Sequence, residues 1–250
     1  MTSHKTIVIV PGAWHNARFF DETAAHLEQA GYNCSPVNLP SVGASPPLTD
    51  FQPDVEVVAK AISEAADAGH DVVVIGHSYG SVPGCAAIQG LDKKSREAAG
   101  QPGGVVHKIF LCSFLLKKGV APLEALTGPP PDWLEVSPDG TTCTCTNPGQ
   151  AFYNDIPQEM QDKWAATLQP HSFRVFSSAQ TYEAWRDVPS SYIYCRKDNA
   201  IGIADQKRMV EETARGVDIQ TVELDSSHSP FLSMPATLAR TIVGLIQGDV

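Results

Sequence analysis

The sequence lacks three features that would settle its class at once. It has no run of about eighteen apolar residues, so no membrane-spanning helix is expected. It has no basic cluster beyond Lys93-Lys94 and Lys117-Lys118, and its 18 Lys and Arg stand against 28 Asp and Glu. The net charge of −10 argues against nucleic acid as a partner. The third missing feature is a second cysteine pair to accompany Cys143 and Cys145. A zinc site needs about four ligands, so these two are read as one face of a short strand, and no metal or cofactor is expected. The other four cysteines (Cys34, Cys85, Cys112 and Cys195) sit in apolar segments, as buried free thiols do. The first apolar run is too short for the core of a secretion signal and ends in Pro11-Gly12. A reducing, cytoplasmic location is therefore expected. No internal repeat is visible.

What the sequence does contain is enough for one sizeable core. Its 250 residues are 42% hydrophobic, which suits one domain or a domain with an insertion. Residues 6–10 form a continuous β-branched run, as in a strand covered on both faces. Further strands are predicted at 32–39, 71–75, 105–114, 192–195 and 219–224. Between them lie helical patterns, such as Val55, Val58, Ala59, Ile62, Ala65 and Ala66 on one face of a helix that Gly69 ends. A further helix is predicted over 205–214, and a last one carries Leu238, Ile242, Leu245 and Ile246. Strand-helix alternation of this kind predicts an α/β fold with a doubly wound, mostly parallel six-stranded sheet. Residues 116–188 break the alternation and hold Trp133, Trp164 and Trp185, three of the four tryptophans. They are read as a cap inserted after the fourth strand, on a core made of 1–115 and 189–250.

One stretch organises the chemistry. Val72-Val73-Val74-Ile75 runs into Gly76-His77-Ser78-Tyr79-Gly80, and small residues follow. A buried strand, a very tight turn with serine at its tip and an immediate helix is the geometry of a nucleophile elbow. The Tyr79 N–H at the helix start would then face a developing oxyanion. Pro83 falls in the first turns of that helix, where a kink is expected. An acid is wanted after a late strand, and Asp198 stands there. A histidine is wanted after the last strand, and His228 stands there. The order Ser78, Asp198, His228 is the one such folds use. Asp225 and Asp187 are rivals for the acid. His15 is read as packed or capping rather than as a substrate contact, and His77 as structural. His171 lies in the inserted segment with no metal partner nearby in sequence. His4, His26, His70 and His107 are read as surface or strand-end residues.

Taken together, Val10-Pro11-Gly12-Ala13-Trp14-His15, Gly76-His77-Ser78-Tyr79-Gly80, Pro131-Asp132-Trp133, Phe152-Tyr153-Asn154-Asp155, Arg196-Lys197-Asp198-Asn199-Ala200-Ile201 and Ser227-His228-Ser229-Pro230-Phe231 resemble the α/β-hydrolase superfamily. The likeness is to the small-cap branch of plant methylesterases and hydroxynitrile lyases and their microbial esterase-like relatives, and it runs nearly end to end. The resemblance implies that the N–H groups of Ala13 and Tyr79 form an oxyanion hole. It also implies that the first strand is central, with the topological switch beside Ser78. The chain departs from the branch at Pro11-Gly12, where His-Gly is common, and at Ser81, where glycine is common. Lyase relatives carry a threonine in the oxyanion loop and a lysine after the catalytic histidine. Gly12 and Ser229 stand there instead. The expected activity is that of a serine hydrolase cleaving small apolar esters or lactones through an acyl-enzyme, with Trp14, Phe114 and Trp133 lining the substrate pocket. A C–C bond hydrolase or lyase acting on a secondary-metabolite intermediate, with the lyase disfavoured by Gly12 and Ser229, and a small-molecule receptor on the same fold are the alternatives. A small-molecule substrate is the expected partner, and a homodimer is left open.

Overall fold

The computed structural model describes residues 5–248; the expectation for His4 lies outside them. Six parallel strands form the main sheet: β1 (Lys5–Val10), β2 (Asn33–Pro36), β3 (Asp71–His77), β4 (Gly104–Leu111) and, further along the chain, β8 (Ser190–Cys195) and β9 (Ile219–Leu224). Their order is β2-β1-β3-β4-β8-β9. β1 therefore lies one strand in from the edge, and β3 and β4 are the central pair. Burial explains the composition. From Val72 to His77 every residue of β3 is buried, as is every residue of β8, because helices cover both faces of the sheet. One covering helix, Gln52–Asp67, buries Val58, Ile62 and Ala66 at four-residue spacing.

Several boundaries differ from the sequence reading. β2 is four residues long rather than eight. At its end Val37 donates one last N–H bond to Ile9, and Asn38 turns its side chain to cap the Ala17 N–H. β4 stops at Leu111, before Cys112, which has φ +35°. The expected helix over 205–214 starts earlier and is split. Ile203–Arg208 is α-helical, and Met209–Thr213 widens into a π turn. The helix after the elbow, Ser81–Ala87, carries Pro83 in its first turn, where a missing N–H removes no intrahelical bond. His107 is mid-strand rather than at a strand end, with Nε2 2.8 Å from Ser191 Oγ.

Between β4 and β8 the chain forms a small antiparallel sheet: β5 (Leu134–Val136), β6 (Thr142–Cys145) and β7 (His171–Ser172). Cys143 and Cys145 do lie on this short strand, and all six cysteines are free thiols. The three tryptophans of this region have separate fates. Trp185 is buried and donates its indole N–H to the Leu116 carbonyl at 3.2 Å. Trp164 packs on Phe19, ring centroids 4.8 Å apart. Trp133 alone among the three reaches the cavity described below. No helix among the described residues is long and apolar enough to cross a membrane.

Candidate active site

The chain passes from β1 to the edge strand β2, then crosses back to β3. The carboxyl ends of β1 and β3 therefore flank the topological switch, the usual ligand position in such sheets. The loop 11–14 leaves one end, and Ser78 leaves the other. Ser78 has φ +51°, a strained value for a residue with a side chain. Two glycines make that turn possible. A Cβ on Gly76 would come within 2.5 Å of Ser81 Cα, and one on Gly80 would strike the carbonyls of Pro11 and Val10. The elbow thus presses against the loop that carries Ala13. Tyr79, next to the serine, is anchored from the far side. Its phenol donates to Asp54 Oδ2 at 2.8 Å, and the Ser41 N–H donates to Asp54 Oδ1 at 2.9 Å.

Asp198 and His228 meet after β8 and β9. His228 Nδ1 lies 2.7 Å from Asp198 Oδ2, and both residues are buried. A carboxylate partner makes Nδ1 the donor and leaves Nε2 as the basic nitrogen. The other Asp198 oxygen accepts the N–H groups of Ala200 at 2.7 Å and Ile201 at 2.9 Å. Gln206 adds a fourth donor, Nε2 to Oδ2 at 3.1 Å. Its amide orientation is pinned, because Oε1 accepts the Cys195 N–H while Nε2 also donates to the Ile201 carbonyl. Sequence reasoning missed Gln206. A lone glutamine eight residues after an acid carries no signal until the helix is placed.

The rival acids are elsewhere. Asp225 is exposed and paired with Arg196 and Lys197; its hydrogen bond from Lys197 leads the effects that hold its carboxyl below the usual range. Asp187 accepts from the Tyr182 phenol.

The other histidines build the scaffold. His77 Nε2 donates to the His228 carbonyl at 2.9 Å, and burial holds His77 neutral, helped by His228 and His15. His15 donates from Nδ1 to the Ala13 carbonyl at 2.6 Å and accepts the Tyr153 phenol at Nε2, 2.8 Å. Burial pushes its pKa down to about 3, so it orients the Ala13 peptide without titrating near neutrality. Asp155 accepts the Ser227 N–H at 2.8 Å, bracing the loop before His228. His171 is wholly buried between Tyr79 and Phe176.

Ser78 and His228 line one cavity of about 370 Å³, together with Ala13, Trp14, Phe114 and Trp133. All three residues expected to touch substrate are therefore on its wall. The remaining lining is almost entirely apolar. Its one carboxylate, Asp205, already accepts from Thr127 Oγ1 at 2.9 Å and Arg208 Nη2 at 2.8 Å.

One trio of potential metal ligands occurs among the described residues: His77, Cys112 and His228, with ligand atoms within 4.8 Å of one another. Hydrogen bonds already join them. The Cys112 thiol, like His77, donates to the His228 carbonyl, at 3.4 Å, and the His228 imidazole is held by Asp198. These bonds use His77 Nε2, the Cys112 thiol proton and His228 Nδ1, and they leave His77 Nδ1 without a hydrogen-bond partner and His228 Nε2 as the basic nitrogen.

The chain is similar to known hydrolases. The alpha/beta hydrolase nvfD of Aspergillus novofumigatus is 30% identical over 243 residues, 94% of either chain. A pyrethroid hydrolase of Sphingobium wenxiniae is 26% identical over 254 residues, covering 94% of this chain and 85% of its own. In structure, a pyrethroid hydrolase from Sphingobium faniae shares the fold at a TM-score of 0.76 and 24% identity over 98% of both chains. The family model described as the alpha/beta hydrolase family matches residues 7–241, and the chain belongs to that family and is a hydrolase.

Proposed function

We propose that this hydrolase cleaves uncharged, largely apolar carboxylic esters through an acyl-enzyme on Ser78. The observation that carries the reading is the buried Asp198–His228 hydrogen bond, set beside a strained serine on the wall of an apolar cavity. Ser78 Oγ attacks the ester carbonyl and gives its proton to His228 Nε2. The carbonyl oxygen becomes an oxyanion that accepts the N–H groups of Ala13 and Tyr79. Collapse expels the alcohol, which takes the proton from His228. Water then repeats the sequence in reverse on the acyl group. Asp198 keeps the imidazole in the required tautomer. A cavity whose one carboxylate is already paired with Arg208 offers no free counter-ion to a charged substrate. The relative named for hydrolysing pyrethroids supports the same apolar class.

Residues 116–188 serve in this reading as the cap that chooses the substrate. Turnover of p-nitrophenyl esters, blocked by a serine-directed fluorophosphonate that labels Ser78, tests it. A labelled serine elsewhere, or none with turnover intact, would overturn it. EDTA should leave the rate unchanged, because no step needs a metal. A loss that zinc or another divalent ion restores would count against the mechanism.

The cap makes a separate expectation. Trp133 is only half-buried and lies edge-on to Trp14 and Phe152, ring centroids 5.9 and 5.4 Å apart. Were it core, Trp133→Ala would cost ~3–5 kcal/mol and slow all esters alike. As a half-exposed wall residue it should cost less than that. Its loss should instead raise kcat/KM for bulky acyl groups relative to acetyl, at ~1–3 kcal/mol per pocket methylene. Melting temperature and an ester chain-length series separate the two outcomes.

A further inference from the structure

Lys108 is the anomaly of the core. It lies mid-way along β4 with no accessible surface, and no carboxylate pairs with it among the described residues. An unpaired buried ammonium is costly, so its surroundings must compensate. Nζ donates to the Ile109 carbonyl at 3.1 Å and to Ser81 Oγ at 3.3 Å, and it lies 4.6 Å from the centre of the Phe110 ring. Ser81 Oγ in turn donates to the Gly76 carbonyl at 2.8 Å and lies 2.8 Å from Ser113 Oγ. Gly76 and Ser81 are the two shoulders of the elbow. A Cβ on Gly76 would come within 2.6 Å of Nζ, so the ammonium touches the elbow backbone itself. Gly76 is two residues from Ser78, a span of at most about 7 Å.

We propose that Lys108 is a positioning residue for the nucleophile: through Ser81 it ties Gly76 to the start of the following helix, and its charge favours the negative oxygen that forms above Ser78. The Ser81 hydroxyl is the link, since it accepts from Nζ and donates to the Gly76 carbonyl. The proposal rests on Ser78 being the nucleophile. Lys108 exchanges no proton with substrate. A unit charge about 10 Å from an oxyanion, at an effective dielectric of about 20, is worth roughly tenfold in rate.

Burial brings the Lys108 pKa down to about 8. The charge should therefore be present at neutrality and lost just above it. Two titrating groups face this network from neighbouring elements. Cys85, on the elbow helix, has its thiol pushed up to about 11 by burial. Tyr192, on β8, bonds Ser113 and has its phenol pushed well above 10. Both ionise after Lys108 and leave its range clear.

The experiment compares kcat and KM for one activated ester from pH 6 to 10 in the native enzyme, Lys108→Met, Lys108→Gln and Ser78→Ala. The native kcat should rise with pH, as general-base catalysis requires, then fall near pH 8. Lys108→Met and Lys108→Gln should keep the rise, lose the fall, and have kcat roughly tenfold lower at pH 7 with KM unchanged. Lys108→Met should also melt higher than the native enzyme at pH 7, because it removes an unpaired buried charge. That advantage should shrink above pH 8. There the folded protein releases the Lys108 proton while the unfolded chain keeps its own up to about 10.4, so native stability rises with pH over that window. An alkaline fall that persists in both lysine variants, or native kcat at pH 7 in either, would overturn the proposal. So would a Lys108→Met protein that melts lower or fails to fold, since Lys108 would then be structural. Turnover by Ser78→Ala would instead sink the nucleophile assignment on which this rests.

Discussion

Ser78→Ala should lose nearly all turnover while keeping its fold. Removing the nucleophile from such a triad costs ~10⁶ in kcat, about as much as removing the whole triad. The residue that remains should be weak catalysis by the oxyanion N–H groups of Ala13 and Tyr79, ~10³ to 10⁴ over water. The fold should survive because nothing but the hydroxyl is lost, and β3 stays buried along its length. Alanine at φ +51° keeps the strain that serine already bears. Stability should therefore change little. The check is a progress curve with an activated ester beside a thermal melt of the same sample. Turnover within a hundredfold of native, with the melt unchanged, would move the chemistry away from Ser78. Loss of both would show only that the elbow had collapsed. In that case Ser78→Cys, isosteric and able to form an acyl-thioester, decides by whether it becomes acylated.

The elbow was legible because it is local. Gly76, Ser78 and Gly80 are fixed by contacts within a few residues and with the loop that follows β1, and the pattern records those contacts. The same holds for Asp198 and His228, since the end of each strand marks where the next functional loop begins. What was not legible depends on partners far along the chain. Lys108 reads as a polar residue in a strand until the sheet pairs β4 with β3 and brings it under Ser81, 27 residues earlier. Gln206 needs the turn after β8 before it can face Asp198. His15 is held by Tyr153, 138 residues away. The split of the helix beyond Ile203 also escaped, because a π turn leaves a helical pattern nearly intact. Trp133 could be singled out by composition, but Trp164 and Trp185 shared that composition. Only the path of the chain between β4 and β8 separates the wall of the cavity from the core.

Asp198→Asn should be the next most damaging change, at ~10⁴ in kcat. The hydrogen bonds explain why so small an edit costs so much. Oδ1 accepts two backbone N–H groups, from Ala200 and Ile201, so the asparagine carbonyl oxygen must occupy that position. The amide NH₂ is then forced toward His228 Nδ1 and Gln206 Nε2, which are both donors. Gln206 cannot turn over to accept, because its oxygen is held by the Cys195 N–H and its nitrogen by the Ile201 carbonyl. His228 is the group that gives way. It moves its proton to Nε2 so that Nδ1 can accept, and a protonated Nε2 cannot take the proton of Ser78. Asp225→Asn provides the contrast. That carboxylate is exposed, its ion pairs with Arg196 and Lys197 stand in solvent, and it touches neither Ser78 nor His228, so kcat/KM should be unchanged. Gln206→Leu should fall between the two, since it loosens Asp198 without reversing a donor. Measuring kcat for the three variants, with melts to separate folding from chemistry, ranks them. If Asp225→Asn proved the more damaging, the acid would have to be reassigned to Asp225 and the loop after β9 would have to rearrange to bring it to His228.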